Sequence, residues 1–228
     1  MRIQGISGSR GVAVGNVYRY IQEEIVIPDY TVADDQVEEE IGKFAAAMAA
    51  TLKQLDTIRQ KALDEMGPEE AAIFEAHMQI AQDPSLSDGI KSLVESSHTN
   101  VVAATAQTIE TFANIFLGME DPYMRERGAD IKDIGDRLMR NMLGMNPRGL
   151  SHISGEVILV AQDLAPSDTA SLDKNVVKGI VTAAGGPTSH AAIMARTLEI
   201  PAVMGVGDIE SFVDGDKAVV LGTDGIVE

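Results

Sequence analysis

The chain has 228 residues, 45% of them hydrophobic, and its 35 acidic residues outnumber its 18 Lys and Arg to give a net charge of −17. That charge argues against a nucleic-acid partner, whose phosphates would be repelled, and it suits a partner with a basic face. The absence of cysteine excludes disulfides, thiolate metal sites and cysteine nucleophiles. Because no apolar run is long enough for a signal peptide or a membrane span, we expect a cytoplasmic protein.

The first part of the chain is predicted to be β-structure, and the middle part helical. Residues 1–26 contain short β-prone runs punctuated by glycine, such as "GVAVGNVYRYI", and this pattern predicts a hairpin. Residues 32–144 have helical patterning. Between Val37 and Ala62, apolar side chains recur at spacings of three and four, which predicts one helix of about 30 residues.

Three further helices are predicted before the pattern changes. The second begins at Glu69 and is interrupted at Pro84, which should start a new helical turn. The third begins near Asn100, a good N-cap residue. The fourth begins after Asp121 and can end at Gly144, where a glycine supplies a left-handed stop. Four helices with short connections predict a bundle of helical hairpins.

The remainder of the chain alternates short apolar runs with helical pieces, which is typical of an α/β layer. The runs are "GEVILVAQDL", "NVVKGIVTAAGG", "IPAVMGVGD" and "DKAVVLGTDGIVE". The first 26 residues are too few to fold alone, so we expect them to join this sheet. The sequence therefore predicts a discontinuous α/β domain, residues 1–26 and 147–228, with an inserted all-α subdomain, residues 32–144.

One turn in the α/β part has unusual chemistry. A predicted buried strand runs into Gly185 and Gly186, and Thr188 or Ser189 can then cap a helix that begins at His190. The unpaired N–H groups of a helix start favour a bound anion. The same field keeps an imidazole neutral, with a free lone pair, and favours a ring that carries a phosphoryl group. The pattern thus predicts a phosphorylatable histidine.

This turn has other interpretations. Taken alone, it is equally typical of a helix cap with an incidental histidine. A Walker-type phosphate loop needs a Gly-Lys-Ser/Thr ending, which is absent here. Ser189 and His190 are adjacent, so they are poorly placed as nucleophile and base, and no Gly-x-Ser-x-Gly elbow surrounds them. His77 and His98 lack ligand spacing to another histidine, so no metal site is predicted.

The motifs resemble those of a known family. "GGPTSHAAIMAR" is similar to the phosphohistidine signature of phosphoenolpyruvate-utilising enzymes, and "LEIPAVMGVG" continues the match. The signature alone fits Enzyme I of the sugar phosphotransferase system, pyruvate phosphate dikinase and phosphoenolpyruvate synthase. "AIFEAHMQIAQDP", "RERGADIKDIGDRLMRNMLG" and "VILVAQDLAPSDTASL" resemble Enzyme I, in order and spacing, so the resemblance covers essentially the whole chain.

The resemblance implies a swivelling α/β phosphohistidine domain joined to a four-helix subdomain that docks the phosphocarrier protein HPr. In the family a C-terminal barrel binds phosphoenolpyruvate and magnesium and dimerises. The chain ends at Glu228, so we expect it to be an N-terminal part that is monomeric, needs no cofactor and exchanges phosphate with HPr. Its other expected partner is its own C-terminal phosphoenolpyruvate-binding domain.

The resemblance also implies roles for individual residues. His190 matches the histidine that carries phosphate on Nε2, and Thr169 matches a threonine that hydrogen-bonds it. Contacts that orient the phosphate or the ring are expected from Gly185, Gly186, Thr188 and Ser189. Pro187 stands where many members have Arg. The expected HPr-facing positions are Glu69, Ala72, Ile80, Leu86 and Arg127, with His77 as a secondary candidate near the active histidine.

Two alternatives remain open on the sequence. One is a non-catalytic, acidic helical interaction module in which the glycine turn is only a cap. The other is a nitrogen-related or fused Enzyme I paralogue, which shares these motifs.

Overall fold

The computed structural model describes residues 2–21, 23–145, 150, 153, 155–169 and 172–228. The chain divides into two compact units, an α/β unit of Met1–Glu23 and Arg148–Glu228, and a helical unit of Glu24–Pro147. The predicted fold class, an α/β domain interrupted by an all-α subdomain, is confirmed. The predicted start of the second α/β segment at residue 147 lies outside the described residues.

The described part of the helical unit contains five long helices, so the predicted count of four was wrong. They are α1 Val37–Glu65, α2 Pro68–Ala81, α3 Pro84–Ser97, α4 Val101–Leu117 and α5 Pro122–Met142. The extra helix arises at Pro84, which occupies the first helical position, while the Asp83 side chain accepts a hydrogen bond from the N–H of Ser85 at 2.8 Å. A proline there starts a separate helix because its ring blocks continuation of the previous one.

The five helices surround one apolar core. Helix α5 packs against α1, α2 and α4, and α3 packs against α4 and α1. The fully buried side chains include Ile90, Val94, Ile134 and Leu138. Two predicted helix caps are confirmed. At the start of α4, the Asn100 side chain accepts a hydrogen bond from the N–H of Ala103. After the end of α5, Gly144 has the left-handed conformation, with a φ of +65°.

A buried carboxylate ties the start of this unit to its interior. Glu40 on α1 is only 3% exposed, and its Oε2 accepts a hydrogen bond from the N–H of Val101 at 2.9 Å, at the start of α4. Its Oε1 accepts from the Tyr30 hydroxyl at 3.0 Å and from Lys43 Nζ at 2.7 Å. Burial alone would raise the pKa of Glu40, but the hydrogen bonds from Lys43, Val101 and Tyr30 outweigh it and lower that pKa.

The α/β unit is built on one mixed sheet, with eight strands in its described part. The strands are β1 Ile3–Gln4, β2 Ile6–Ser9, β3 Val12–Tyr20, β4 Val157–Ala161, β5 Val177–Thr182, β6 Ala202–Met204, β7 Lys217–Leu221 and β8 Ile226–Val227, in the order β1-β8-β7-β3-β4-β5-β6-β2. Strands β3, β4, β5 and β6 run parallel to one another, whereas β3 pairs with β7 and β6 pairs with β2 in antiparallel fashion. The part of this unit that the structure describes also contains two helices, α6 Pro166–Thr169 and α7 His190–Thr197.

The N-terminal residues join this sheet as expected, but the predicted hairpin is wrong. Strand β2 pairs with β6 at one side of the sheet, whereas β3 lies between β7 and β4. Strand β4, which is buried on both faces, pairs in parallel with the second half of β3, from Asn16 to Tyr20. Strand β2 is left as an edge, where the Arg196 guanidinium donates to the carbonyl of Gly8 at 2.7 Å.

Glu40 generates a stability prediction. Glu40→Gln should lower the free energy of unfolding of the helical unit by about 2 kcal/mol at neutral pH, because a buried charged acceptor is lost. The folded-state pKa of Glu40 is lowered, so its contribution is complete above the pKa of an unfolded carboxyl, about 4.3, and is lost as the pH falls below it. The difference in the free energy of unfolding between wild type and variant should therefore become smaller in acid.

Urea unfolding followed by far-UV circular dichroism, at neutral pH and at about pH 3, measures this difference. Glu39→Gln is the control, because Glu39 also pairs with Lys43, at 3.2 Å, but is exposed. A difference that stays constant between the two pH values contradicts the assignment.

Candidate functional site

The parallel strands bring four chain segments to one edge of the sheet. Strands β3, β4, β5 and β6 end at Tyr20, Ala161, Thr182 and Met204, and their shared direction places these ends together. Helix α6 follows β4, and the glycine turn with α7 follows β5. Ligands of open α/β sheets bind outside the carboxyl ends of the strands, so this edge is the natural place for a site.

The turn after β5 is held by hydrogen bonds within its own backbone and side chains. The Thr182 hydroxyl donates to the carbonyl of Ala184 at 2.6 Å, and the N–H of Ser189 donates to the carbonyl of Gly186 at 3.0 Å. Gly185 has a φ of +89°, and a Cβ there would stand 3.2 Å from Ser189 Oγ. A side chain at Gly185 is therefore strained, whereas Gly186 has open space around it.

Helix α7 begins at His190, as predicted, and Ser189 is confirmed as its N-cap. The Ser189 hydroxyl accepts a hydrogen bond from the N–H of Ala192 at 3.3 Å. His190 is the first helical residue and is half-buried, while Thr188 is exposed. The imidazole thus lies in the first turn, where the positive end of the helix favours negative charge.

Thr169 ends the short helix α6, which packs against α7. Its side chain is fully buried, and its hydroxyl donates to the carbonyl of Pro166 at 2.8 Å. With its proton used in this way, the Thr169 oxygen retains lone pairs that can accept a hydrogen bond from an N–H group.

Two side chains at this edge were missed by the sequence analysis. The Tyr20 hydroxyl donates to Asp168 Oδ1 at 2.7 Å, and Asp168 is fully buried next to Thr169. Asp168 could have been found from the sequence, because it is an acidic residue directly before the predicted site residue Thr169. No such signal was available for Tyr20, which is far away in the sequence.

The helical unit carries a separate feature, an apolar groove of about 390 Å³. Its lining comes from α2, the start of α3, α4 and α5, and consists of Ile80, Asp83, Leu86, Phe112, Phe116, Met124, Arg127 and Ile131. Three residues predicted to face HPr, namely Ile80, Leu86 and Arg127, thus line one groove. The sequence did not identify Phe112, Phe116 and Met124 as groove residues. Apolar residues in a helix are expected to lie in the core when nothing is known about their neighbours in space.

The five interface candidates differ in their exposure and in whether they line the groove. Glu69 and Ala72 are exposed on α2, and neither lines the groove. Leu86 is only 2% exposed, so it belongs to the groove floor and to the core cluster beneath it. Ile80 and Arg127 are half-buried. Among the five candidates, Ile80 and Arg127 therefore combine accessibility with a place in the groove.

His77, the secondary candidate of the sequence, is fully buried on α2. Its Nε2 lies 3.2 Å from Asp130 Oδ1 on α5, and its ring meets Phe74 edge-on, with centroids 5.6 Å apart. The side chain therefore joins α2 to α5 in the interior and presents no surface for a ligand.

No three His, Asp or Glu side chains in the described ranges form a group that could hold a metal ion. No helix in the described part of the chain has the length and apolarity needed to cross a membrane.

Comparison with known proteins places the whole chain in one family. Residues 4–127 match the family "PEP-utilising enzyme, N-terminal", and residues 153–225 match "PEP-utilising enzyme, mobile domain". Among curated proteins, the chain is 44% identical over 227 residues to the phosphoenolpyruvate-protein phosphotransferase of Streptococcus equinus. It is 42% identical over 226 residues to that of Geobacillus stearothermophilus. The chain is covered to 99% in both matches but spans only 39% of each relative's length.

Solved structures agree with this placement. A solution structure of Enzyme I (nEIt) matches with a TM-score of 0.84 and 41% identity, covering 99% of this chain and 92% of the other. The N-terminal domain of Enzyme 1 - Nitrogen matches with a TM-score of 0.67 and 25% identity, at the same coverages. Family, relatives and fold coincide, and the chain belongs to the family of phosphoenolpyruvate-utilising enzymes, of which it contains the N-terminal and mobile domains.

Proposed function

We propose that this chain is the phosphohistidine part of a phosphoenolpyruvate-protein phosphotransferase and that His190 carries the phosphoryl group. The main observation that supports this proposal is the position of His190. It lies in the first turn of α7, next to the glycine turn, at the carboxyl ends of the four parallel strands. The names of the relatives support the reaction class, since the proteins 42–44% identical to this chain are phosphoenolpyruvate-protein phosphotransferases.

The chemistry is a phosphoryl transfer between two imidazoles. A ring nitrogen of His190 attacks the phosphorus of a phosphohistidine on HPr, in line with the nitrogen that leaves. One N–P bond forms as the other breaks, and the electron pair of the broken bond returns to the HPr ring. No net proton transfer is required. Positioning and charge stabilisation therefore supply the catalysis, and the positive end of α7 favours the phosphoryl dianion on His190.

Thr169 and the glycine turn orient the ring and the phosphate. The Thr169 oxygen accepts the N–H of one His190 nitrogen, which leaves the other, Nε2, with the lone pair that attacks. Thr188 and Ser189 contribute hydroxyls or N–H groups next to the phosphate. Gly185 and Gly186 let the backbone approach it closely.

The groove of the helical unit is the proposed HPr docking site. Ile80 and the aromatic lining provide apolar anchors above a floor that includes Leu86, and Arg127 with Asp83 supplies polar contacts at the groove. Exposed Glu69 and Ala72 extend the surface along α2. The helical unit holds 23 of the 35 acidic residues, and this charge complements the basic face of HPr.

The remaining expectations concern the longer protein. We propose that phosphoenolpyruvate and magnesium bind to a C-terminal domain, that this domain dimerises, and that the protein acts in the cytoplasm on the first step of sugar phosphorylation. The 228 residues by themselves exchange phosphate with HPr. The sugar-system form is favoured over the nitrogen-related one, because the Enzyme I structure matches at 41% identity and the nitrogen paralogue at 25%.

The first test is phosphorylation by phospho-HPr. Wild type should gain one acid-labile phosphoryl group, seen by intact mass, and His190→Ala should gain none, because no other residue takes its place. If the wild-type chain gains no phosphoryl group from active phospho-HPr, the carrier role of His190 is contradicted. The alternative, a non-catalytic acidic interaction module, is then favoured. Ile193→Ala, a change at an exposed position of α7, controls for helix damage.

The glycine turn provides a matched pair of variants. Gly185→Ala should destabilise the turn by about 1–2 kcal/mol, because an L-residue is strained at a φ of +89°. It should also slow phosphoryl transfer. Gly186→Ala should change stability by less than about 0.5 kcal/mol, since its surroundings are open. Urea unfolding measures the stability of both variants, and single-turnover transfer measures the rate of Gly185→Ala. Equal losses of stability in the two variants contradict the strain assigned to Gly185.

The groove is tested by binding. Ile80→Ser should weaken the affinity for HPr by about 10-fold, the equivalent of 1.4 kcal/mol, because an apolar anchor is removed. Leu63→Ser is the control, since Leu63 on α1 is exposed and does not line the groove. Isothermal titration calorimetry measures both, with circular dichroism to verify folding. Unchanged affinity of the Ile80 variant places HPr elsewhere.

A further inference from the structure

A buried carboxylate stands directly behind the proposed histidine-orienting residue. Asp168 has no exposed surface, and it precedes Thr169 in α6, a helix of only four residues. Burying a carboxylate is costly unless its oxygens are hydrogen-bonded. Both oxygens of Asp168 have donors: Oδ2 accepts from the N–H of Ala165 at 3.1 Å, and Oδ1 accepts from the Tyr20 hydroxyl at 2.7 Å.

These two bonds have different consequences. The bond from Ala165 is local and caps the helix to which Asp168 belongs. The bond from Tyr20 spans 148 residues and fastens α6 to the last residue of β3. A four-residue helix has too few internal hydrogen bonds to hold itself in place. The position of α6, and of Thr169 at its end, therefore depends on contacts such as this one.

We propose that Tyr20 and Asp168 are positioning residues for the phosphoryl-transfer site. They fix α6 to the sheet, so that the Thr169 oxygen, whose own proton is donated to Pro166, lies where it accepts the N–H of His190. This acceptor determines which ring nitrogen keeps its proton and which one is free to attack. The proposal rests on the proposed role of His190, but its structural half concerns the imidazole tautomer alone.

The effect on rate follows from geometry. Displacement of a positioning group by about 1 Å can slow a transfer step up to about 100-fold. Tyr20→Phe removes one hydroxyl, keeps the ring and leaves Asp168 with its local donor. We expect a mixture of the two neutral tautomers of His190 in this variant and a transfer from phospho-HPr that is 10- to 100-fold slower.

The chain supplies a matched control. Tyr30 in the helical unit also donates its hydroxyl to a buried carboxylate, Glu40, at 3.0 Å. Tyr30→Phe therefore loses the same type of hydrogen bond. It should lower stability by a similar amount and leave the tautomer of His190 unchanged.

The experiment combines imidazole ¹⁵N spectra with single-turnover transfer for the wild type, Tyr20→Phe, Tyr30→Phe, Thr169→Val and the Tyr20→Phe/Thr169→Val pair. If Tyr20 acts through Thr169, the double variant transfers no more slowly than Thr169→Val. Wild-type tautomer populations in Tyr20→Phe, or fully multiplicative rate effects, overturn the proposal. If wild type accepts no phosphoryl group, the proposed function fails, while the ¹⁵N spectra still decide whether Tyr20 positions the ring.

Discussion

Parallel pairing of β3, β4, β5 and β6 is the constraint on which the α/β unit depends. It places the ends of four strands at one edge, so segments distant in sequence meet there. The glycine turn leaves β5 at this edge, and α6 leaves β4 there. A slip of one residue in β3 would turn its buried side chains Ala13 and Val17 toward the opposite face. The site is therefore as well determined as the core of the sheet beneath it.

Both units use buried carboxylates to hold short or terminal segments in place. Glu40 receives hydrogen bonds from Tyr30 and from a backbone N–H at the start of α4, and Asp168 receives them from Tyr20 and from a backbone N–H before α6. In each case a charged acceptor gains several donors, which offsets the cost of burial. Such a clamp specifies geometry more narrowly than apolar contact does, because hydrogen bonds are directional. That property is useful beside the imidazole that we propose to carry the phosphoryl group.

Local signals made half of this architecture predictable. The caps Asn100 and Ser189 and the helix start at His190 follow from a few adjacent residues, since capping depends on short-range hydrogen bonds. The features that the sequence did not reveal required knowledge of partners. The pairing of β2 with β6, the depth of Leu86 and the bond from Tyr20 to Asp168 all depend on residues far away in sequence. Resemblance to a family supplied the proposed roles, but it did not supply these contacts.

The charge distribution raises an apparent conflict, because a chain with a net charge of −17 is proposed to hold a phosphoryl dianion. The conflict is resolved by the different distances over which the two kinds of charge act. Fields of exposed charges are screened over about 8–10 Å at physiological salt, whereas the N–H groups of α7 act within the first helical turn. The acidic residues, concentrated in the helical unit, therefore affect the encounter with a basic partner, and the helix start determines where the phosphoryl group is stable. One chain can attract its partner by its total charge and still bind an anion by local geometry.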